Sequence, residues 1–160
     1  GSVIAYWGSK LLVDEATKFI REKWIEFNDS RRLNFRDYVK LDTWRAISGQ
    51  LEYTGVYVIF EGDKAIYVGS AGGGKHPLKY RIGDLFGYSP GSKSNPYYHP
   101  LTRKLTKKTG AKDPEQALDE VRNFYLESCS FKVVKTDTID QARMLEHVFI
   151  ILLGHPKYNA

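Results

Sequence analysis

Apolar residues recur at three-and-four spacing between positions 9 and 28. There Leu12, Ala16, Phe19, Ile20, Trp24 and Phe27 are separated by Lys, Arg and Glu, a pattern that predicts an amphipathic helix. A second helix is expected from about Phe35 to Ile47, carried by Tyr38, Leu41, Trp44 and Ala46 and ending near Ser48-Gly49. The period then shortens. GVYVIF at 55–60 and AIYVGS at 65–70, joined through EGDK, predict a β-hairpin. After the glycine-rich GSAGGGKHP at 69–77, Pro77 opens a short helix that stops near Gly87, and SPGSKSNP at 89–96 is loop by composition. A basic helix is expected from Tyr97 or Pro100 to Gly110. DPEQ at 113–116 offers an Asp cap, Pro at the first helical position and Gln116 three residues after the cap, for a helix reaching Ser128. SFKVVKT at 130–136 alternates as a third strand, and TIDQ at 138–141 is a capping box for a last helix ending at Gly154. This order of elements is that of a mixed α/β (α+β) chain.

Length and composition narrow the class. A chain of 160 residues, 42% hydrophobic and 27% charged, suits one globular domain, and its longest apolar run, VFIILL at 148–153, is too short to span a bilayer. The opening GSVIAYW has neither an initiator Met nor a signal-peptide pattern, so Gly1-Ser2 reads as a cloning remnant with room for natural chain upstream. Cys129 is the sole cysteine, which excludes an internal disulfide and a cysteine-based zinc cluster and points to a reducing, intracellular (cytoplasmic) setting.

Charge is unevenly spread. The net charge is +5, yet the segment from Lys75 to Lys112 holds nine Lys or Arg against the single acid Asp84, a net +8. Tyr80, Phe86, Tyr88, Asn95, Tyr97 and Tyr98 interleave these cations, a combination that fits a polyanion such as DNA and also fits a solvated lysine-rich surface. Arg103, Lys104, Lys107 and Lys108 share one predicted helix and are expected to contact backbone phosphates, with Lys75, His76 and Lys79 extending the basic track.

The chemistry-bearing candidates lie in the hairpin and the last helix. With a three-residue turn, Glu61 to Asp63, Tyr57 stands opposite Tyr67; with a two-residue Gly62-Asp63 turn the two phenols fall on opposite faces. On the last helix, Ile139, Ala142, Glu146, Phe149, Ile150 and Leu153 form one stripe, which puts a carboxylate in an apolar face. Such a group needs a basic partner, a metal ion or a cleft that stays wet. AGGGKH lacks the spacing and the Lys-Ser/Thr pair of a P-loop, and His76, His99, His147 and His155 show no zinc-ligand spacing.

GVY at 55–57, YVG at 67–69, Arg81 in the next helix, Glu146 in a later helix and Asn159 near the end, taken together and in this order, resemble the GIY-YIG nuclease family over residues 52–160. The resemblance implies a small three-stranded antiparallel sheet flanked by helices at 52–160, preceded by an N-terminal helical extension at 1–51. It also implies a divalent-metal-dependent DNA endonuclease of restriction or mobile-element (homing) type, with a repair or toxin nuclease, or an inactive nucleic-acid-binding module of the same fold, as alternatives. Glu146 would hold one Mg²⁺ or Mn²⁺ per site, and Tyr57 would position or deprotonate the attacking water. Arg81 would bind the scissile phosphate, Tyr67 would fix phosphate or water, and Asn159 would hold the site together. Relatives often carry a His or Tyr one turn after the arginine; here that position is Leu85, and Tyr88, two turns on, and His76, in the preceding loop, are the candidates to stand in for it. A lysine frequent after YIG is Ser70 here, with Lys75 nearest. Cutting both strands with one small site calls for a homodimer on DNA or for sequential nicking.

Overall fold

The structure, a computed structural model, describes residues 2–72 and 76–159, and within the first helix the side chains from Leu12 onward. The chain divides into two compact units, residues 1–30 and 31–160. The first is a single helix, α1 (Ser2–Asp29), steadied by Lys18–Glu22 and Lys23–Glu26 pairs and by stacking of Trp24 on Phe27 at 5.4 Å. Leu12, Val13 and Ile25 on this helix are exposed. Among the described residues, no helix is long and apolar enough to cross a membrane.

The second unit begins at Arg31, and within it the helix expected at 35–47 does not form. Phe35–Asp37 is a single 3-10 turn, followed by a two-stranded ladder of β1 (Val39–Lys40) and β2 (Arg45–Ala46). The stripe of Tyr38, Leu41 and Trp44 misleads, since Leu41 is exposed while Phe35 and Val39 are the residues buried. Asn34, Asp37, Asp42 and Thr43 are weak helix formers, so little local preference opposes the tertiary contacts. Those contacts are aromatic: Phe35 stacks on Phe131 at 4.6 Å and meets Phe86 and Tyr125 at 5.6 and 5.7 Å. Just before it, Leu33 exchanges two backbone hydrogen bonds with Phe131, which ties residues 31–51 to the sheet.

That sheet is antiparallel with β3 (Gly55–Glu61) in the middle, β4 (Lys64–Ala71) on one side and β5 (Cys129–Lys135) on the other. β3 is buried along six of its seven residues, as a strand covered on both faces must be. Between β4 and β5 the chain forms α2 (Leu78–Asp84), α3 (Pro100–Lys108) and α4 (Pro114–Ser128), and α5 (Ile139–Leu152) follows β5. The helix starts are those the sequence marks. Asp113 caps α4 through Glu115 N–H, and Thr138 and Gln141 close the capping box of α5. α5 buries Ala142, Leu145 and Phe149 against β3 and β4.

The hairpin follows neither of the two expected registers. Glu61 pairs with Lys64 across a two-residue Gly62-Asp63 turn, which by itself would separate the phenols. A β-bulge then leaves Ile66 without a partner and shifts the register by one, so that Ile59 faces Tyr67 and Tyr57 faces Gly69. The extra residue returns Tyr67 to the face of Tyr57, one diagonal step away.

Candidate active site

The cluster forms at the open edge of β4. Tyr57 projects from the central strand across Gly69, where a Cβ would lie 2.4 Å from both its Cζ and its Oη. The YVG glycine is thus required by the neighbouring ring and not by a turn. Tyr57 is 1% exposed, and its hydroxyl lies 2.6 Å from Nε2 of His99, which is fully buried. Tyr67 lies 6.2 Å from Tyr57 and 5.4 Å from His99, measured between ring centroids.

His99 is a member of this cluster to which the sequence alone assigned no role. It caps α3, with Nδ1 accepting the Leu101 N–H at 3.0 Å. Burial, aided by the charges of Arg81 and Arg103, holds its pKa well below the usual 6.5, so the ring is neutral. A neutral imidazole that accepts at Nδ1 carries its proton on Nε2. His99 therefore donates to the Tyr57 oxygen, and Tyr67 lies beside this pair. The helix cap thus fixes the His99 tautomer and with it the donor that meets Tyr57.

Arg81, on α2, is near enough for its charge to act on Tyr57, and it pairs with Asp84 at 3.5 Å, its side chain keeping 29% of its surface open. Burial pushes the Tyr57 phenol well above 10.0, Tyr67 adds to the shift, and Arg81 offsets only part of it. The Tyr67 phenol is also raised, by burial first. The expected lowering of Tyr57 by a nearby cation is thus outweighed by desolvation.

Glu146 reaches the same edge from α5. Its carboxylate accepts from the Ser70 hydroxyl at 3.4 Å and makes no ion pair among the described residues, so the basic partner that an apolar helix face invites is not there. Burial raises its pKa, against the pull of His147, Ser70 and Arg81. Its charge is felt at both phenols and at the guanidinium. No cluster of three or more His, Cys, Asp or Glu that would cage an ion occurs among the described residues. One carboxylate and one hydroxyl are hard oxygen donors, too few for zinc but suited to Mg²⁺ or Mn²⁺, which retain most of their waters. Burial pushes the Cys129 thiol up to about 12, which leaves it without nucleophilic character near neutral pH.

The other expected residues separate into roles. Asn159 spends its amide on the backbone, with Oδ1 accepting from Val68 N–H and Nδ2 donating to Val68 C=O, both at 2.8 Å. It covers the exposed edge of β4 between Tyr67 and Gly69. Lys104 donates to the Tyr158 carbonyl at 2.7 Å, and Lys108 reaches the Tyr158 hydroxyl at 3.4 Å with its ammonium 4.7 Å from the ring. Both anchor the C-terminal turn, so their expected service to phosphates is at least shared with a structural one. Lys79 pairs with Glu52 at 2.6 Å, and Arg103 donates to the Asn95 side chain. Lys107 is exposed and lines a cavity of about 240 Å³ together with Arg103 and Lys112. His76 stays exposed beside Tyr80 and does not join the phenols, and Leu85 is a core residue; the histidine of the cluster is supplied by α3 instead. Lys75 lies outside the described residues. No protein-family model, no curated protein and no solved structure matches the chain.

Proposed function

We propose that residues 31–160 hydrolyse phosphodiester bonds in DNA with the help of a divalent cation, as an endonuclease of the GIY-YIG type. The observation that carries this reading is the meeting of Tyr57, Tyr67, Arg81 and Glu146, from β3, β4, α2 and α5, in one electrostatic neighbourhood at the edge of β4. Phosphodiester hydrolysis needs an oriented water, charge neutralisation on the phosphoryl oxygens and a stabilised leaving oxygen. Arg81 supplies a permanent charge and a planar donor fork to the phosphate, and Asp84 holds that fork in place. The Tyr67 hydroxyl, half-buried beside Tyr57 and His99, orients the water or a phosphate oxygen by hydrogen bonding. Tyr57 and His99, both buried, act through Tyr67 and Arg81 as positioning residues. Held by Glu146 with Ser70 beside it, a hydrated Mg²⁺ or Mn²⁺ would neutralise charge on the phosphate and the leaving oxygen. Asn159 keeps the β4 edge in register beneath these groups.

Incubation of supercoiled plasmid with the protein and Mg²⁺ or Mn²⁺, beside Glu146→Ala, tests the reading. Nicking or linearisation by the wild type alone is the expected result. Equal gel shifts by both proteins with no cleavage by either would instead identify a binding module.

A further inference from the structure

α2 presents Arg81 to the candidate site and Tyr80, Gly83 and Asp84 to a groove of about 720 Å³ next to it. The groove runs between the β1–β2 ladder, α2 and the loop before α3. Its walls are aromatic, with Trp44, Tyr80, Tyr88 and Tyr98, and Arg45 and Lys79 stand among its cations. Trp44 is a fixed wall. Its indole stacks on Phe86 at 5.6 Å and 5°, the Arg122 guanidinium lies 4.5 Å from the ring, and its backbone is held at φ 57, a conformation that costs a bulky residue energy. Tyr80 and Tyr98 are different in kind: they are 47% and 53% exposed, Tyr80 with the Lys79 ammonium 4.9 Å from its ring and His76 edge-on at 6.1 Å. Tyr98 packs closely on Gly87, where a Cβ would come within 2.6 Å of its Cδ2.

We propose that this groove takes the unpaired bases of a nucleic-acid strand entering the candidate site, so that the preferred substrate carries a single-stranded segment beside the phosphodiester that is cut. The inference rests on reading Tyr67, Arg81 and Glu146 as a phosphodiester site. Three features select the occupant. The charged lining is Arg45, Lys79 and Arg122 against Asp84 and Glu115, one positive charge in excess, which suits an anionic strand. Open tyrosine rings engage flat π faces, which a base exposes only when it leaves the duplex stack. The Arg81–Asp84 pair links groove and site along one turn of α2, so one strand can supply a phosphate to Arg81 and bases to Tyr80 and Tyr98.

The test uses the full chain carrying Glu146→Gln, in EDTA, so that no cleavage is needed. Binding of a twelve-nucleotide dT strand and of a blunt duplex of the same length is read by fluorescence anisotropy, and stacking by the quenching of a central 2-aminopurine. The single strand is expected to bind more tightly than the duplex at equal salt and to be quenched. Tyr80→Ala and Tyr98→Ala should each weaken its binding by roughly 5- to 150-fold and relieve quenching, with Tyr98→Trp restoring both. Both side chains are exposed, so the substitutions leave the core intact. Unchanged single-strand affinity and quenching in the two alanine variants, with duplex still bound, would overturn the inference, assign the groove to another ligand such as a protein segment, and leave the nuclease reading standing. Failure to bind either form of DNA would overturn both.

Discussion

His99→Asn probes the buried pair on which the site is built. Asn is itself a good helix cap, so the bond to Leu101 N–H has a replacement, while the titrating ring and the donor to Tyr57 are removed. At pH 7.5 the expected cost is about 1–3 kcal/mol, for a phenol oxygen left short of a partner in a buried place. The pH dependence is more specific. The folded protein keeps His99 neutral, whereas in the unfolded chain it takes up a proton near the ordinary 6.5. Stability from this group is therefore complete above pH 6.5 and is lost as the pH falls, because the unfolded state then binds the extra proton. Between pH 7.5 and 5.0 one such proton is worth about 2 kcal/mol as long as the folded ring stays neutral. Urea denaturation at the two pH values measures it: the wild type should lose about 2 kcal/mol more than His99→Asn over that interval. Equal losses in the two proteins would refute a neutral, buried His99 bonded to Tyr57, and with it the donor role assigned to its Nε2.

Glu146→Gln should abolish Mg²⁺-supported cleavage without lowering urea stability at pH 8 in EDTA, because burial raises this carboxyl and the variant removes a poorly solvated charge; a marked drop in stability would reveal a structural ion pair. Gly69→Ala should destabilise by about 1–3 kcal/mol and cut activity, since the new Cβ meets the Tyr57 ring at 2.4 Å, and an unchanged melting temperature with full activity would place the ring elsewhere. Asn159→Ala removes two bonds at the β4 edge, for about 1–3 kcal/mol, and should speed hydrogen exchange at the Tyr67–Gly69 amides; exchange at the wild-type rate would argue against the brace.

Signals carried within a few residues were legible in the sequence. The caps at Asp113 and Thr138, the alternation of the three main strands and the lone carboxylate on the α5 stripe all emerge as local chemistry dictates. The phenol pair was legible as a question of register, but its answer depends on Ile66, an unpaired residue in an apolar strand that no turn signal marks. His99 was illegible for another reason: 42 residues separate it from Tyr57, and its value lies in a cap bond and in burial, neither of which spacing reveals. A histidine directly before Pro100 at a predicted helix start was the one available hint. Residues 35–47 show the converse, a helical stripe overridden by the packing of Phe35 against Phe131, Phe86 and Tyr125. Lys104 and Lys108 show that a basic helix face can be spent on the protein's own C-terminal turn.

The convergence of a carboxylate, a guanidinium and a phenol on one phosphate is tested most directly by anomalous scattering from crystals soaked in Mn²⁺. A single peak within coordination distance of the Glu146 carboxylate, on the side facing Arg81 and Tyr67, is the result the account requires. A Glu146 without an ion at millimolar Mn²⁺, or a peak held by other carboxylates away from Arg81, would contradict it.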